Sequence, residues 1–215
     1  MSEWQGLVPE DISRKYEFYN FNHAAEILSQ AYSSELNEVF QALREFSLTK
    51  EDVLKGGGNE SDIPKKLSRT LYPLGWAEVQ ISGDLLVTLK KRHEGKVKGE
   101  ELSTLTIENF VGGHNIDYVK GRIALDLEWN SKDQTFDRDL YAFRAFYECG
   151  IISCGILITR SASLDPVFSA LGIKKKYGAS TTWMGKLLPR IQARRHGGCP
   201  LLVIGITPNT IVERE

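Results

Sequence analysis

The nearly unbroken apolar run Ile151–Thr159 restricts the fold more than any other segment. It is far shorter than the ~20 residues of a membrane span. It also lacks the two-residue alternation of a strand with one wet face. It therefore predicts a central strand buried on both faces, and such a strand needs covering layers above and below. Leu201–Ile206 has the same character and predicts a last buried strand. Helical spacing appears in Asn22–Phe46, where Ala25, Leu28, Tyr32, Leu36, Val39, Phe40 and Leu43 share one side and Asn22 suits an N-cap. A second helix opens at Asp62 with Pro64 in its first turn and ends near Pro73–Gly75. Phe136–Cys149 has the same periodicity, and Thr181–Arg195 predicts a basic helix bent at Pro189.

Shorter strands are expected at Trp76–Ile81 and Leu85–Lys90, joined by Ser82-Gly83-Asp84, and at Asn115–Val119 and Arg122–Trp129, joined by a Lys120-Gly121 turn. Lys55–Ser61 and Lys91–Glu101 read as loops. Strands and helices alternate from residue 115 onward, so the expected class is α/β with a mixed central sheet flanked by helices. A single domain over 1–215 is expected, with an N-terminal helical part at about 1–75 and an α/β core at about 76–208.

Chemistry concentrates in Arg122–Trp129. Asp126 and Glu128 are two residues apart, so both point to one face of the strand while Leu127 points to the other. The turn at Lys120-Gly121 folds Asp117 back beside Asp126. Three carboxylates on one sheet edge repel each other unless a cation joins them. Hard oxygen ligands suit Mg²⁺, which assists phosphodiester hydrolysis by charge neutralisation and by easing deprotonation of water. The alternative is a solvent-facing edge strand whose acids pair with Lys or Arg.

The net charge is −1, yet Lys174–Gly198 holds seven Lys or Arg and no acid. One basic face on an otherwise acidic chain suits a nucleic-acid partner, although a solvated basic helix has the same composition. The N-terminal Met-Ser-Glu-Trp-Gln has no features of a signal peptide, so a cytoplasmic protein is expected. Cys149, Cys154 and Cys199 lack a CxxC pair and read as reduced thiols. His23, His93, His114 and His196 lack metal-ligand spacing, Lys55-Gly-Gly-Gly lacks the P-loop ending, and Ser161 and Ser163 have no triad partners.

Asp117-Tyr-Val-Lys-Gly-Arg-Ile-Ala-Leu-Asp126-Leu-Glu128-Trp resembles the PD-(D/E)XK nuclease core of the BglII/BstYI group of type II restriction endonucleases. Tyr19–Leu28, Gly75-Trp76-Ala-Glu78 and Pro200–Pro208 resemble further segments of that group in the same order. The resemblance implies a restriction-endonuclease-like core that cuts double-stranded DNA as a homodimer with Mg²⁺, at a short palindrome centred on GATC. A cognate DNA methyltransferase is expected in the same system, outside any complex. Asp117 and Asp126 would be metal ligands, with the Leu127 carbonyl as a third, and Glu78 would be a fourth acid. Asp126 stands where the relatives have Glu, so a metal would sit closer to the strand. Glu128 stands where most of the superfamily has Lys; it either accepts the proton of the attacking water, orients that water or binds metal. Asn130, Ser131, Lys132 and Gln134 would read base edges, as would Ser180, Thr181 and Thr182. Lys174–Lys176, Lys186, Arg190, Arg194 and Arg195 would meet phosphates. A repair or structure-specific nuclease of the same superfamily, or a DNA-binding module without cleavage, remains the alternative.

Overall fold

The computed structural model describes residues 3–55, 62–91 and 99–212. The expected loops at 55–61 and 91–101 therefore fall largely outside the described residues, as does His93. Six strands form one sheet: β1 (Tyr16–Phe21), β2 (Ala77–Lys91), β3 (Glu100–Lys120), β4 (Ile123–Glu128), β5 (Cys154–Arg160) and β6 (Leu201–Ile206), in the order β1-β6-β5-β4-β3-β2. β4, β5 and β6 run parallel, while β1 and β3 pair antiparallel with β6 and β4. The sheet is mixed and flanked by helices, as the alternation of elements predicts. The helices are α1 (Glu10–Ser13), α2 (Ala24–Ala31), α3 (Ser33–Glu45), α4 (Lys50–Lys55), α5 (Asp62–Leu71), α6 (Thr135–Glu148), α7 (Asp165–Ala170) and α8 (Met184–Gln192). No described helix is long and apolar enough to cross a membrane.

Every residue of β5 and β6 is buried, as two-sided cover requires. On one face Ile123, Leu125, Leu127, Ile156, Ile158, Leu202 and Ile204 join the core built from α2, α3 and α5. On the other, Ala124, Leu157, Leu201 and Val203 are buried. The apolar stripe of α6, Phe136, Leu140 and Phe143, is buried as well. Gly155 marks how closely α6 approaches: a β-carbon there would stand 2.7 Å from the Phe143 ring.

Five local expectations are corrected. The helix over Asn22–Phe46 is two helices, because Tyr32 leaves helical geometry at φ −137°, ψ 41°. Asn22 is not the cap: it is left-handed (φ 53°), and its amide donates to the Gly198 carbonyl. Asn20 Oδ1 instead accepts from the Ala25 N–H at 2.9 Å. Ser82-Gly83-Asp84 does not interrupt β2, and Asn115–Val119 is the end of the much longer β3. Tyr16–Phe21 adds a strand within the segment expected to be helical.

Residues 80–115 form a compact unit of their own, and 1–79 with 116–215 form the other. The smaller unit is carried by β2 and β3. Its Thr88 and Thr104 hydroxyls meet at 3.5 Å. The two-residue period of a strand then turns Leu85, Val87 and Leu89, with Leu105 and Ile107, to the opposite face. Leu89, Leu105 and Ile107 are exposed there.

The contact at Gly155 gives a direct test. Gly155→Ala forces Phe143 and Leu201 apart and should cost about 1–3 kcal/mol, read as a lower urea midpoint with an unchanged slope.

Candidate active site

The site is built where β3 turns into β4. Gly121 takes φ +55°, which lets a tight turn bring the strands back to back. Tyr118 pairs with Leu125, Val119 with Ala124 and Lys120 with Ile123. One step further, the Asp117 N–H donates to Asp126 Oδ1 at 2.7 Å. The turn is anchored from below: Glu38 takes the Lys120 ammonium and, at 2.8 Å, the Trp76 indole N–H. Lys120 is thus drawn away from the acids.

The Asp117 backbone thus contacts the Asp126 carboxylate, and the Asp117 charge also acts on Asp126. Asp126 is only 4% exposed, Glu128 is half-buried and Asp117 faces solvent. Leu127 buries its side chain in the core on the other face, which leaves only its backbone to the site. The Glu128 carbonyl accepts from Thr159 Oγ1 at 2.7 Å, which ties the ends of β4 and β5 together. Glu78, exposed on β2, is close enough for its charge to act on Asp117.

Helix α6 supplies two residues that sequence reasoning missed. Asp139 is only 2% exposed, and its Oδ2 has no hydrogen-bond partner. Its Oδ1 accepts from Arg138 Nε at 3.2 Å and Nη2 at 3.0 Å, and the same Nη2 lies 3.7 Å from Glu128 Oε1. The signal was in the sequence: Phe136, Asp139, Leu140 and Phe143 follow the helical spacing of a buried face, and Asp is the one charged residue on it.

Desolvation and mutual repulsion push Asp117, Asp126, Glu128 and Asp139 upward. Burial raises Asp126 well above the carboxylate range; Asp139 and Asp117 add to this, and the Asp117 N–H opposes it. Asp117 rises through desolvation and then the charge of Glu78, with Arg138 opposing. Glu128 rises through burial, against a hydrogen bond from Ser131 and the charge of Arg138. Burial and then the Glu128 charge push Asp139 up to about 8.

Among the described residues, no group of three or more His, Cys, Asp or Glu side chains is arranged as a metal cage. The donors nevertheless fit Mg²⁺, which needs only one or two carboxylates and keeps waters and substrate phosphate as its other ligands. They are all oxygens, they repel one another, and a buried oxygen of Asp139 lacks a partner.

The two expected reading segments lie together. Lys132 and Thr181 form an antiparallel bridge, with Asp133 N–H donating to the Ser180 carbonyl at 2.9 Å and Thr182 N–H to that of Ser131 at 2.8 Å. Ser131, Lys132, Gln134 and Ser180 are exposed, and Thr181 is half-buried. Thr182 departs from the expectation: it is fully buried, so its hydroxyl is withdrawn from any base edge. Asn130 is half-buried and donates to the Lys176 carbonyl at 3.4 Å.

Beneath this pair lies Arg160, 1% exposed at the end of β5. It donates to the carbonyls of Thr182 (2.8 Å) and Tyr177 (3.4 Å) and to the Thr181 hydroxyl. Its guanidinium also lies 5.7 and 5.4 Å from the ring centres of Phe168 and Tyr177. The expected phosphate contacts divide. Arg190 pairs with Asp133 and Asp137, Arg195 with Asp137 and Lys186 with Asp133. A phosphate approaching these three has to compete with acids already in place. Lys176 donates to the Val53 and Leu54 carbonyls, whereas Lys174, Lys175 and Arg194 are exposed.

The Asp139 shift has a sign that can be checked. Its folded value lies above the unfolded carboxylate value, so the folded state holds the extra proton between about pH 4 and 8. Stability of the metal-free protein should then fall as pH rises through that window. Asp139→Asn, which cannot ionise, should flatten this slope and melt higher than the parent at pH 8 in EDTA. Equal slopes for the two proteins in a melting series would contradict the assignment.

No curated protein sequence matches the chain. The protein family described as restriction endonuclease BglII/BglIII matches residues 16–206, all but the first fifteen and last nine residues. That span takes in β1, the acids of β3 and β4, α6, both segments expected to read DNA and β6, so the chain belongs to the BglII/BglIII family of restriction endonucleases, type II site-specific deoxyribonucleases that act on double-stranded DNA.

Proposed function

We propose that this protein is a Mg²⁺-dependent endonuclease that hydrolyses both strands of a short palindrome, centred on GATC, as a homodimer in the cytoplasm. The carrying observation is the contact between Asp117 and Asp126 at the end of a strand that is otherwise apolar. Burying a carboxylate there is costly unless it serves a cation. The same contact speaks against a DNA-binding module without cleavage, which has no need of clustered acids. Asp117, Asp126 and the Leu127 carbonyl would hold the ion, with Glu78 near Asp117. A bound Mg²⁺ supplies positive charge at the scissile phosphate and eases deprotonation of water. Glu128 faces the same cluster and takes or directs the water's proton. Asn130, Ser131, Lys132 and Gln134 would read one part of the site, with Ser180 and Thr181 beside them and Thr182 holding the segment from beneath. Lys186, Arg190, Arg194 and Arg195 would line the phosphate path, the paired ones by exchanging a carboxylate for a phosphate. A partner methyltransferase would protect the host's own sites.

Symmetric cleavage of a palindrome needs two active sites related by a two-fold axis. The apolar face of the β2–β3 unit, with Leu89, Leu105 and Ile107 exposed, supports self-association.

Wild-type protein should linearise a plasmid only when divalent metal is present. Asp117→Asn and Asp126→Asn should each lower cleavage about a hundredfold or more while leaving the fold intact by circular dichroism. Normal cutting by both variants would remove these acids from the site.

Assembly and reading are separable by measurement. Light scattering should give twice the 24.2 kDa chain mass. Lys132→Ala and Ser180→Ala should alter preference at particular bases, each good contact being worth about 1–3 kcal/mol. Arg194→Ala should weaken binding to all sequences alike and flatten its salt dependence. A monomer that cuts both strands, or a base preference moved by Arg194 and not by the other two, would refute these assignments.

A further inference from the structure

We infer that Arg138 is a catalytic residue of this nuclease, contacting the scissile phosphate from helix α6, and that Asp139 is its positioning residue. The inference rests on the proposed cleavage function. Its guanidinium sits over the acid cluster: Nη2 is 3.0 Å from Asp139 Oδ1 and 3.7 Å from Glu128 Oε1. Its charge also acts on Asp117 and Asp126. Yet the side chain is 66% exposed, whereas Glu128 and Asp139 beneath it are 12% and 2% exposed. A cation anchored from below and open above is placed to receive an anion from solvent.

The chemistry needs such a group. Asp117, Asp126, Glu128 and Asp139 concentrate negative charge where a phosphodiester, itself an anion, must approach. As the water oxygen bonds to phosphorus and the ester P–O bond breaks, charge builds on the two non-bridging oxygens. The water's proton goes to Glu128 or solvent, and the leaving oxygen takes a proton from solvent. A guanidinium donates two parallel N–H bonds to such oxygens, a geometry an ammonium cannot match. The other basic side chains near the strand ends are committed elsewhere. Lys120 is held by Glu38 and the Leu74 carbonyl, and Lys132, whose backbone bridges Thr181 and whose side chain is exposed, is assigned above to base reading.

Asp139 accounts for how Arg138 is held. A carboxylate on the buried face of α6 gains nothing for the core and costs desolvation. Both Nε and Nη2 donate to its Oδ1, which fixes the plane of the guanidinium. Both bonds fall on Oδ1, so Oδ2 takes no part in holding Arg138.

The test compares Arg138→Gln, Arg138→Lys and Asp139→Asn with the wild type on a plasmid that the wild type linearises. Single-turnover cleavage by Arg138→Gln should fall about 10²–10³-fold, the usual cost of losing one donor to a developing oxyanion. Arg138→Lys should recover only part of this. Duplex binding in EDTA should weaken no more than about tenfold, as for one lost phosphate contact. The rise in melting temperature on adding Mg²⁺ should be kept or enlarged in Arg138→Gln, because a competing cation has been removed. Asp139→Asn should slow cleavage without changing the DNA concentration for half-maximal rate. The double variant should be no slower than Arg138→Gln alone, since one residue acts through the other. Arg138→Gln that melts lower yet cuts at the wild-type rate would reduce the pair to a surface ion pair and overturn the inference. Additive losses in the double variant would overturn the positioning role. A wild type that cuts no DNA in Mg²⁺ would instead remove the proposed function itself, and the inference with it.

Discussion

A carboxylate buried on the central sheet is the constraint from which the rest of the site follows. Asp126 is 4% exposed on a strand whose other residues up to Leu127 are apolar and buried. Its desolvation is offset in the free protein only by the 2.7 Å bond from the Asp117 N–H, and its acidic neighbours work against it. A group in that position stays protonated or calls for a cation. The tight β3–β4 turn, the Glu38 anchor and the burial of Leu127 on the reverse face all keep Asp126 from rotating away. The fold therefore sustains a cluster of acids that is electrostatically unfavourable when ionised in the free protein.

The acid cluster and the two segments expected to read DNA are also joined through short contacts. Thr159 bonds the Glu128 carbonyl, and its neighbour Arg160 holds the Tyr177–Thr182 segment by its carbonyls and one hydroxyl. That segment bridges back to Lys132, four residues beyond Glu128. Displacing either segment thus strains the ends of β4 and β5, where the acids sit. Arg190, paired with Asp133 and Asp137, adds a second clasp between α8 and the start of α6. Sites supported by regular elements and cross-bonded in this way hold geometry better than free loops do.

Much of this was legible in the sequence because period and polarity act locally. The runs at 151–159 and 201–206 gave the buried strands, and the spacing of Asp117, Asp126 and Glu128 gave the contact across the turn. Less visible was whatever depends on distant partners. The break at Tyr32 interrupts an otherwise continuous apolar stripe, and β2 runs through Ser82-Gly83-Asp84 because its ladder is made with β3. The competition between basic side chains and Asp133 or Asp137 is a tertiary fact, since separations of 53 to 58 residues carry no spacing signal. Asp139 differs from these. Its conflict with an apolar helical face was present in the sequence and pointed to the site from the second element that builds it.

The position of the site also follows from topology. β4 and β5 are parallel, and their carboxyl ends carry Glu128, Thr159 and Arg160. In open α/β sheets the crevice outside the carboxyl ends of parallel strands is where ligands bind, because the connecting loops gather there. Here the loop after β4 supplies Asn130–Gln134 and leads into α6, and the long connection after β5 supplies Tyr177–Thr182. Arg160 donates to carbonyls and a hydroxyl and lies against two aromatic rings; burial lowers it to about 10, with the charge of Asp165 opposing. It stays charged at neutral pH, so its donors remain committed to the Tyr177–Thr182 segment. Arg160 beneath the Tyr177–Thr182 segment and Asp126 within the acid cluster are thus set on adjacent strands, each held by backbone groups that the sheet itself keeps in register.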